Sequence, residues 1–566
     1  MKVFSIQLCM ALGFWMFIAG LISSSSSARQ KSGRPSVLKP ATGASGMVSS
    51  GHPIASEAGL EILKKGGNAF DAAVAVAATL NVVEPMMSGM GGYGTILIYD
   101  ATKNEVRFLN SSGRIPAAAD SDVFRKPTPN YLENRVGAKA VSMPGNVHAW
   151  EAMWKSYGVL KWTELFGPAI KAASEGFILG DRASRTIQNL YKDFPPHAKL
   201  IYGTNGQALG AADRLVQKEL ANSLRLIAEK GAGVFYIGEL GKAIDEEMRK
   251  AGGFLAMSDL INDKAEWWAS IHVNYRGFEV HTASPPATAF PSLIRLGMMS
   301  VFDVKALGHN SLEMLHRFCE VTKHAFWCRL RYAGDPGVNP PPLDKLLSAE
   351  YWKEAVGRID MKKAKPFEYP KGDEKEFSHT THFVVADKQG NIVSATQTLG
   401  GVFGSRIMPP GTGIWLNNSL SFSTFEPKGN PMDAHAGRHK LSGDCPTIIF
   451  REGRPWAALG TPGGHTIGQT VPQMVMNLVD FGMDIQEALA AARASFIEPD
   501  KIAVEEDIGV KVIEGLKARG HDLIVVPRPG GLGNAHGLTI EYGKDGKPAR
   551  FFGASDPRGQ GLAKGY

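Results

Sequence analysis

Thr380 stands in the run Ser378-His379-Thr380-Thr381-His382-Phe383, ahead of Val384-Val385-Ala386-Asp387 and the turn-forming Lys388-Gln389-Gly390-Asn391. Apolar alternation followed by a polar turn predicts a β-hairpin, with residues 392–398 as the returning strand. Thr380, His382, Val384 and Ala386 then share one face, and Thr381, Phe383, Val385 and Asp387 the other. A cut between His379 and Thr380 would free an α-amine beside the Thr380 hydroxyl. Such an amine, with an ordinary pKa of about 7.7–8.0, takes the hydroxyl proton near neutral pH, so one residue supplies both nucleophile and base. Thr-Thr also opens many ordinary strands, so the reading needs support elsewhere.

A second candidate is Pro462-Gly463-Gly464-His465, after an expected strand at 456–459 and before a helix from 469. Paired glycines there allow backbone N–H groups to converge on the charge that grows on a carbonyl oxygen under attack. The competing reading is a plain strand-to-helix turn. His382 and His465 read as structural or rim residues, because no G-x-S-x-G stretch or Ser-His-Asp spacing recruits them. Gly89-Met90-Gly91-Gly92-Tyr93-Gly94 has the G-x-G-x-x-G form. It precedes a strand instead of opening a helix, so it reads as a tight turn and not a dinucleotide site.

The elements that must carry these groups form an α/β pattern. Helices are expected at 55–65 and 70–80, a hairpin at 95–99 and 106–109, and a mostly helical middle at 150–358. Strands are expected again at 446–450 and 456–459, then helices at 469–481 and 485–493, and a βαβ-like tail. The 566 residues are 44% hydrophobic and 21% charged, which is a globular composition. The net charge of +7 is scattered, with no basic run, which argues against nucleic acid as a partner. Lys2, the apolar stretch 3–22 and Ser26-Ser27-Ala28 read as a signal peptide, 1–28, cut before Arg29, with an uncleaved anchor as the alternative. The expected location is exported, periplasmic or secreted. Cys9 falls in that leader. Cys319, Cys328 and Cys445 form neither a C-x-x-C pair nor a Cys/His cluster, so neither a disulfide framework nor a zinc site is expected.

Four stretches in order carry a resemblance: Ala58-Gly59-Leu60-Glu61-Ile62-Leu63-Lys64-Lys65-Gly66-Gly67-Asn68-Ala69; Thr380-Thr381-His382-Phe383; Pro410-Gly411-Thr412-Gly413-Ile414 with Leu416-Asn417-Asn418; and Gly460-Thr461-Pro462-Gly463-Gly464. From about Met47 to its end the chain resembles the gamma-glutamyltranspeptidase family of N-terminal-nucleophile hydrolases. The resemblance implies an αββα four-layer sandwich. It also implies self-cleavage between His379 and Thr380 into a large subunit, 29–379, and a small subunit, 380–566. Thr380 aligns with the nucleophile, Thr398 with the second threonine that hydrogen-bonds it, and Gly463 and Gly464 with the oxyanion pair. No metal or organic cofactor is implied. The partners are a small-molecule amide and a water or amine acceptor.

The recognition residues depart from the family. Ser112 takes the place of the arginine that grips the glutamate α-carboxylate, and Arg114 lies two residues on. Gly400 stands where the family has asparagine. Ser419-Leu420-Ser421-Phe422 lacks the Glu/Gln and Asp that hold the α-amine, and the family's paired serines become Ser442-Gly443. A charge buried without its partner costs several kcal/mol. The expectation is therefore intact catalytic machinery with a rebuilt pocket, resembling the acylase and amidohydrolase branch. Arg114, Arg406 and His465 are candidate anchors for an acidic substrate, with Ser419 and Ser442 as further candidate contacts. The expected activity is hydrolysis of a small acyl-amide, favoured over transfer. The alternatives are a true γ-glutamyltransferase or glutathione hydrolase with substitute pocket residues, and an inactive, unprocessed binding protein.

Overall fold

In the computed structural model, residues 38–367, 379–497, 500–528 and 531–566 are described. The expected leader, its cut before Arg29 and Cys9 lie outside them. The expected hairpin forms from strands His379–Asp387 and Ile392–Gly400, antiparallel, with Thr380 directly opposite Thr398. A register shift falls between His379 and Thr380, and a bulge of this kind re-aims the backbone where it occurs. Gly390, at φ 90°, makes the turn. Asp387 fixes it by accepting hydrogen bonds from the N–H groups of Gln389 and Asn391, and it also accepts from Ala69 N at 2.8 Å. The hairpin is thereby tied to the start of the helix Ala69–Val83, which Asn68 caps with a reciprocal box to Asp71.

Around the hairpin grows an antiparallel seven-stranded sheet in the order Leu562–Gly565, Gly46–Ser50, His379–Asp387, Ile392–Gly400, Tyr93–Asp100, Glu105–Ser111, Glu266–Ala269. A second seven-stranded sheet runs Ala41–Gly43, Pro548–Ser555, His536–Tyr542, Arg454–Gly460, Thr447–Arg451, Phe278–Thr282, Ile271–Tyr275. Period-2 alternation sorts the side chains between layers. Val384, Ala386 and Leu97 of the first sheet meet Ile448, Ala458 and Leu538 of the second in a core between the sheets. Phe383 and Val385 face the other way, into a core with the helices Pro53–Lys64 and Ala69–Val83. The helices Phe290–Ser300, Leu312–Tyr332 and Ile467–Val479 cover the outer face of the second sheet. The architecture is αββα.

Two expectations change. The helical middle, 150–358, contains Glu266–Ala269 and Ile271–Tyr275, which become edge strands of the first and second sheets, and Phe278–Thr282, which lies next to the second of these edges. Their period is written in Ile271, Val273 and Tyr275 alternating with His272 and Asn274, a short pattern flanked by long helices. In the tail, Lys501–Glu505 and Leu523–Val526 pair in parallel around the helix Val510–Ala518, a true βαβ unit. The strands after it are antiparallel and return to the main sheets.

Asp387 is 1% exposed, and burial raises its pKa, yet it serves four donors. Asp387→Ala leaves these donors without an acceptor. The expected loss is roughly 2–4 kcal/mol, read as a lower urea midpoint at unchanged slope.

Candidate active site

The hairpin register brings Thr380 Oγ1 to 3.2 Å from Thr398 Oγ1, to which it donates. Thr398 Oγ1 also accepts from Gly400 N at 2.7 Å, so its position is set by the backbone of its own strand. Both threonines are buried, 4% and 2% exposed. Their open side is a small cavity shared with Gly464, His465, Gly443, Asp444 and Arg329. On the opposite face of the strand, Thr381 Oγ1 donates to Glu84 Oε2 at 2.8 Å. Burial raises the pKa of Glu84, and the Thr381 hydroxyl opposes that rise.

Across the cavity, the strand Arg454–Gly460 of the second sheet ends and the chain turns into the helix Ile467–Val479. Gly463 and Gly464 make the turn at φ 140° and 58°, both in the left-handed range. A Cβ on Gly463 would lie 2.4 Å from Thr466 Oγ1. Thr466 fastens the turn by donating to Gly463 O from its N–H at 3.2 Å and its hydroxyl at 2.8 Å. Neither glycine N–H has a hydrogen-bond partner among the described residues. The arrangement is a hydroxyl, a fixed second hydroxyl and a donor-rich turn around one cavity, the parts that acyl transfer requires.

Asp444 lines another side of the cavity, and Ser442 holds it. Ser442 Oγ donates to Asp444 Oδ2 at 2.8 Å and lies 2.9 Å from Thr95 Oγ1, which itself reaches Asp444 Oδ2 at 3.2 Å. Burial pushes the Asp444 carboxyl up to about 6, against the opposing pull of the two hydroxyls and the Lys440 charge. Sequence reasoning missed Asp444, which lies two residues past Ser442, and it missed Arg329. The signal for Arg329 was legible. Leu315, Phe318, Thr322, Phe326 and Arg329 are all buried at helical spacing, so the arginine sits on the apolar stripe of Leu312–Tyr332.

Other candidates lie elsewhere. Ser112 is buried and donates to Asn110 Oδ1 at 2.7 Å. Arg114 does not line the cavity. Its guanidinium donates to Glu266 at 2.9 Å and to Gly437 O at 3.3 Å, beyond a turn at Gly113. Arg406 is likewise directed away, to Asp193 at 2.9 Å. Ser419 is buried in a 3-10 turn that ends at Phe422, and only Phe422 reaches the cavity. His382 accepts or donates at Thr396 Oγ1, 2.8 Å away, and desolvation holds it well below the usual histidine range. It is a neutral histidine packed between the sheets.

Gly400 and Gly443, the two glycines singled out in the sequence, differ physically. Gly400, at φ 93°, would place a Cβ 2.5 Å from Asn418 Oδ1 and 2.7 Å from Phe422, whereas a Cβ on Gly443 meets only Gly464 O at 3.9 Å. Gly400→Ala is expected to cost roughly 1–3 kcal/mol in urea unfolding, while Gly443→Ser stays within about 0.5 kcal/mol of wild type. Asp444 gives a pH signature. Its folded pKa, about 6, lies above the model-peptide value of 3.8, so the folded state holds this proton more tightly. Its contribution to stability is full below about pH 4 and declines as pH rises towards 6. Asp444→Asn should flatten that decline, and an unchanged wild-type-minus-mutant difference between pH 4 and 7 would contradict the assignment.

With this geometry in view, the comparisons with known proteins are informative. Residues 55–566 match the family model for Gamma-glutamyltranspeptidase. The chain is 32% identical over 546 residues to a glutathione hydrolase proenzyme of Bacillus subtilis (strain 168), covering 92% of each chain. It is 36% identical over 522 residues to the Acylase ACY 1 proenzyme of Pseudomonas sp. (strain V22), covering 90% of this chain and 92% of that one. Among solved structures, the cephalosporin acylase from Bacillus halodurans superposes with a TM-score of 0.86 at 28% identity, covering 95% of this chain and 98% of the other. The αββα sandwich and these matches together place the chain in the gamma-glutamyltranspeptidase family of N-terminal-nucleophile hydrolases, as an amidohydrolase or acyltransferase.

Proposed function

We propose that this chain is a self-processing threonine amidohydrolase that cleaves a small acyl-amide through an acyl-enzyme on Thr380. The observation that carries the reading is the Thr380–Thr398 hydroxyl pair, 3.2 Å apart, on a cavity shared with Gly464. In maturation, the Thr380 hydroxyl attacks the carbonyl of His379, the C–N bond to Thr380 breaks, and an ester replaces it. Water hydrolyses the ester. The products are a large subunit, 29–379, ending in a carboxylate, and a small subunit, 380–566, beginning with a free threonine amine.

The same hydroxyl then attacks the substrate amide, and the α-amine takes its proton. The N–H groups of Gly463 and Gly464 receive the oxyanion. A pair of donors in place before the charge develops is worth several kcal/mol of barrier at such a site. The leaving amine departs with a proton, and water, or less often an amine, releases the acyl group. The leader, 1–28, exports the precursor to the periplasm or beyond. The proenzyme names of the two relatives support processing.

A second reading, γ-glutamyl transfer or glutathione hydrolysis, is favoured by the name of the Bacillus subtilis relative. It is weakened by the positions of Arg114 and Ser112, which leave the cavity without the family's usual arginine. Release of p-nitroaniline from a γ-glutamyl anilide separates the two readings.

The decisive measurement is the denatured mass of wild type beside Thr380→Ala. The expected result is two wild-type fragments split before Thr380 and one intact mutant chain. A single intact wild-type chain would overturn the proposal. Thr398→Val, which keeps the shape but loses the hydroxyl, is expected to slow both processing and turnover about 100-fold or more.

A further inference from the structure

Resting on that reading of the cavity, we infer that Arg329 is the specificity residue of the acyl pocket, and that the preferred acyl group carries a free carboxylate. Arg329 is 7% exposed and lines the same cavity as Thr380, Thr398 and Gly464. Its guanidinium has no hydrogen-bond or ion-pair partner among the described residues. Its contact is with an aromatic face, the Phe326 ring, whose centroid lies 5.5 Å from Cζ. Phe326 in turn meets the His465 ring edge-on, at 6.1 Å between centroids. The aromatic packing holds the planar fork in place without using its donors.

The contrast with the other arginines is informative. Arg114 is held by Glu266, Arg406 by Asp193, Arg493 by Asp556 and Arg558 by Glu505. Arg329 is a buried cation on the cavity wall that is bound to no carboxylate among the described residues. A desolvated guanidinium without a counter-charge favours an anion that enters with two oxygens in one plane, which is the geometry of a carboxylate. Its neighbour Arg295 is also fully buried, but is spent on the carbonyls of Gly468 and Thr322. The two adjacent positive charges raise the demand for an anion here.

Two acyl types present such a carboxylate: a half-amide of a short dicarboxylic acid, and a γ-glutamyl group, which adds an ammonium. Asp444, on the same cavity, is the group an ammonium would meet. Arg329 serves both types, and Asp444 bears on the second alone.

The test uses mature wild type, Arg329→Gln and Arg329→Lys with glutaryl-, butyryl- and γ-glutamyl-p-nitroanilide. Wild type is expected to favour glutaryl or γ-glutamyl over butyryl. Arg329→Gln should reduce kcat/KM for the acidic donors at least about thirtyfold, chiefly through KM, and leave butyryl within about threefold. Arg329→Lys should recover part of the loss. Equal losses on all three donors, or no preference in wild type, would overturn the inference and leave Thr380 as nucleophile untouched. A precursor that never matures would overturn the nucleophile reading instead. Calorimetric binding of glutarate against glutaramide to the wild-type chain needs no turnover and no variant. Equal affinity for the two compounds refutes the role of Arg329, and a clear preference for the diacid supports it.

Discussion

The hydrogen bond between Thr380 and Thr398 is a cross-strand contact, and its existence depends on register. A slip of one residue in the hairpin would send Thr380 to the helical layer and bring Thr381 between the sheets. The register is held from three sides. Asp387 fixes the turn, Gly46–Ser50 and Tyr93–Asp100 flank the hairpin, and Phe383 and Val385 lock one face into the helical core. The site is therefore precise because a large apolar structure leaves its hairpin only one alignment.

The second sheet supplies what the first lacks. Gly460 packs so closely on His382 that any Cβ would fall within 2.3 Å of the ring. The end of that strand, and the glycine turn that follows it, are thereby brought up to the threonines. The cavity is bounded by two sheets from opposite sides, with the helix Leu312–Tyr332 closing it through Arg329. Family membership accounts for the αββα frame. Asp444, held by Ser442, and Arg329 add charge to the wall of that cavity.

The threonine hairpin, the glycine turn and the α/β class were legible because each depends on local pattern, alternation for the strands and Gly-Gly for the turn, whereas the αββα layering was implied by the family resemblance alone. Gly400 and Gly443 looked alike in sequence and differ only in what surrounds them, which no local pattern records. Arg114 and Arg406 were attractive as cations near the right motifs. Their partners, Glu266 and Asp193, are 152 and 213 residues away in sequence. Pairing at such range is decided by tertiary packing. Arg329 is the opposite case: charged residues on a long helix are ordinarily solvated, and the apolar stripe it sits on is the local mark of the exception.

The strand order has a consequence for molecularity. In the first sheet Leu562–Gly565 lies outside Gly46–Ser50, which lies beside His379–Asp387, and Tyr93–Asp100 follows Ile392–Gly400. Segments from either side of the Thr380 bond thus alternate across one hydrogen-bonded ladder. A precursor folds as one chain, in a first-order process independent of concentration. If the proposed cut severs that bond, the same ladder joins two chains, and recovery from the unfolded state becomes a second-order encounter between partners, each lacking the other's strands. The mature particle would then persist by slow unfolding more than by ready refolding, with its lifetime set by the barrier to separating interleaved strands.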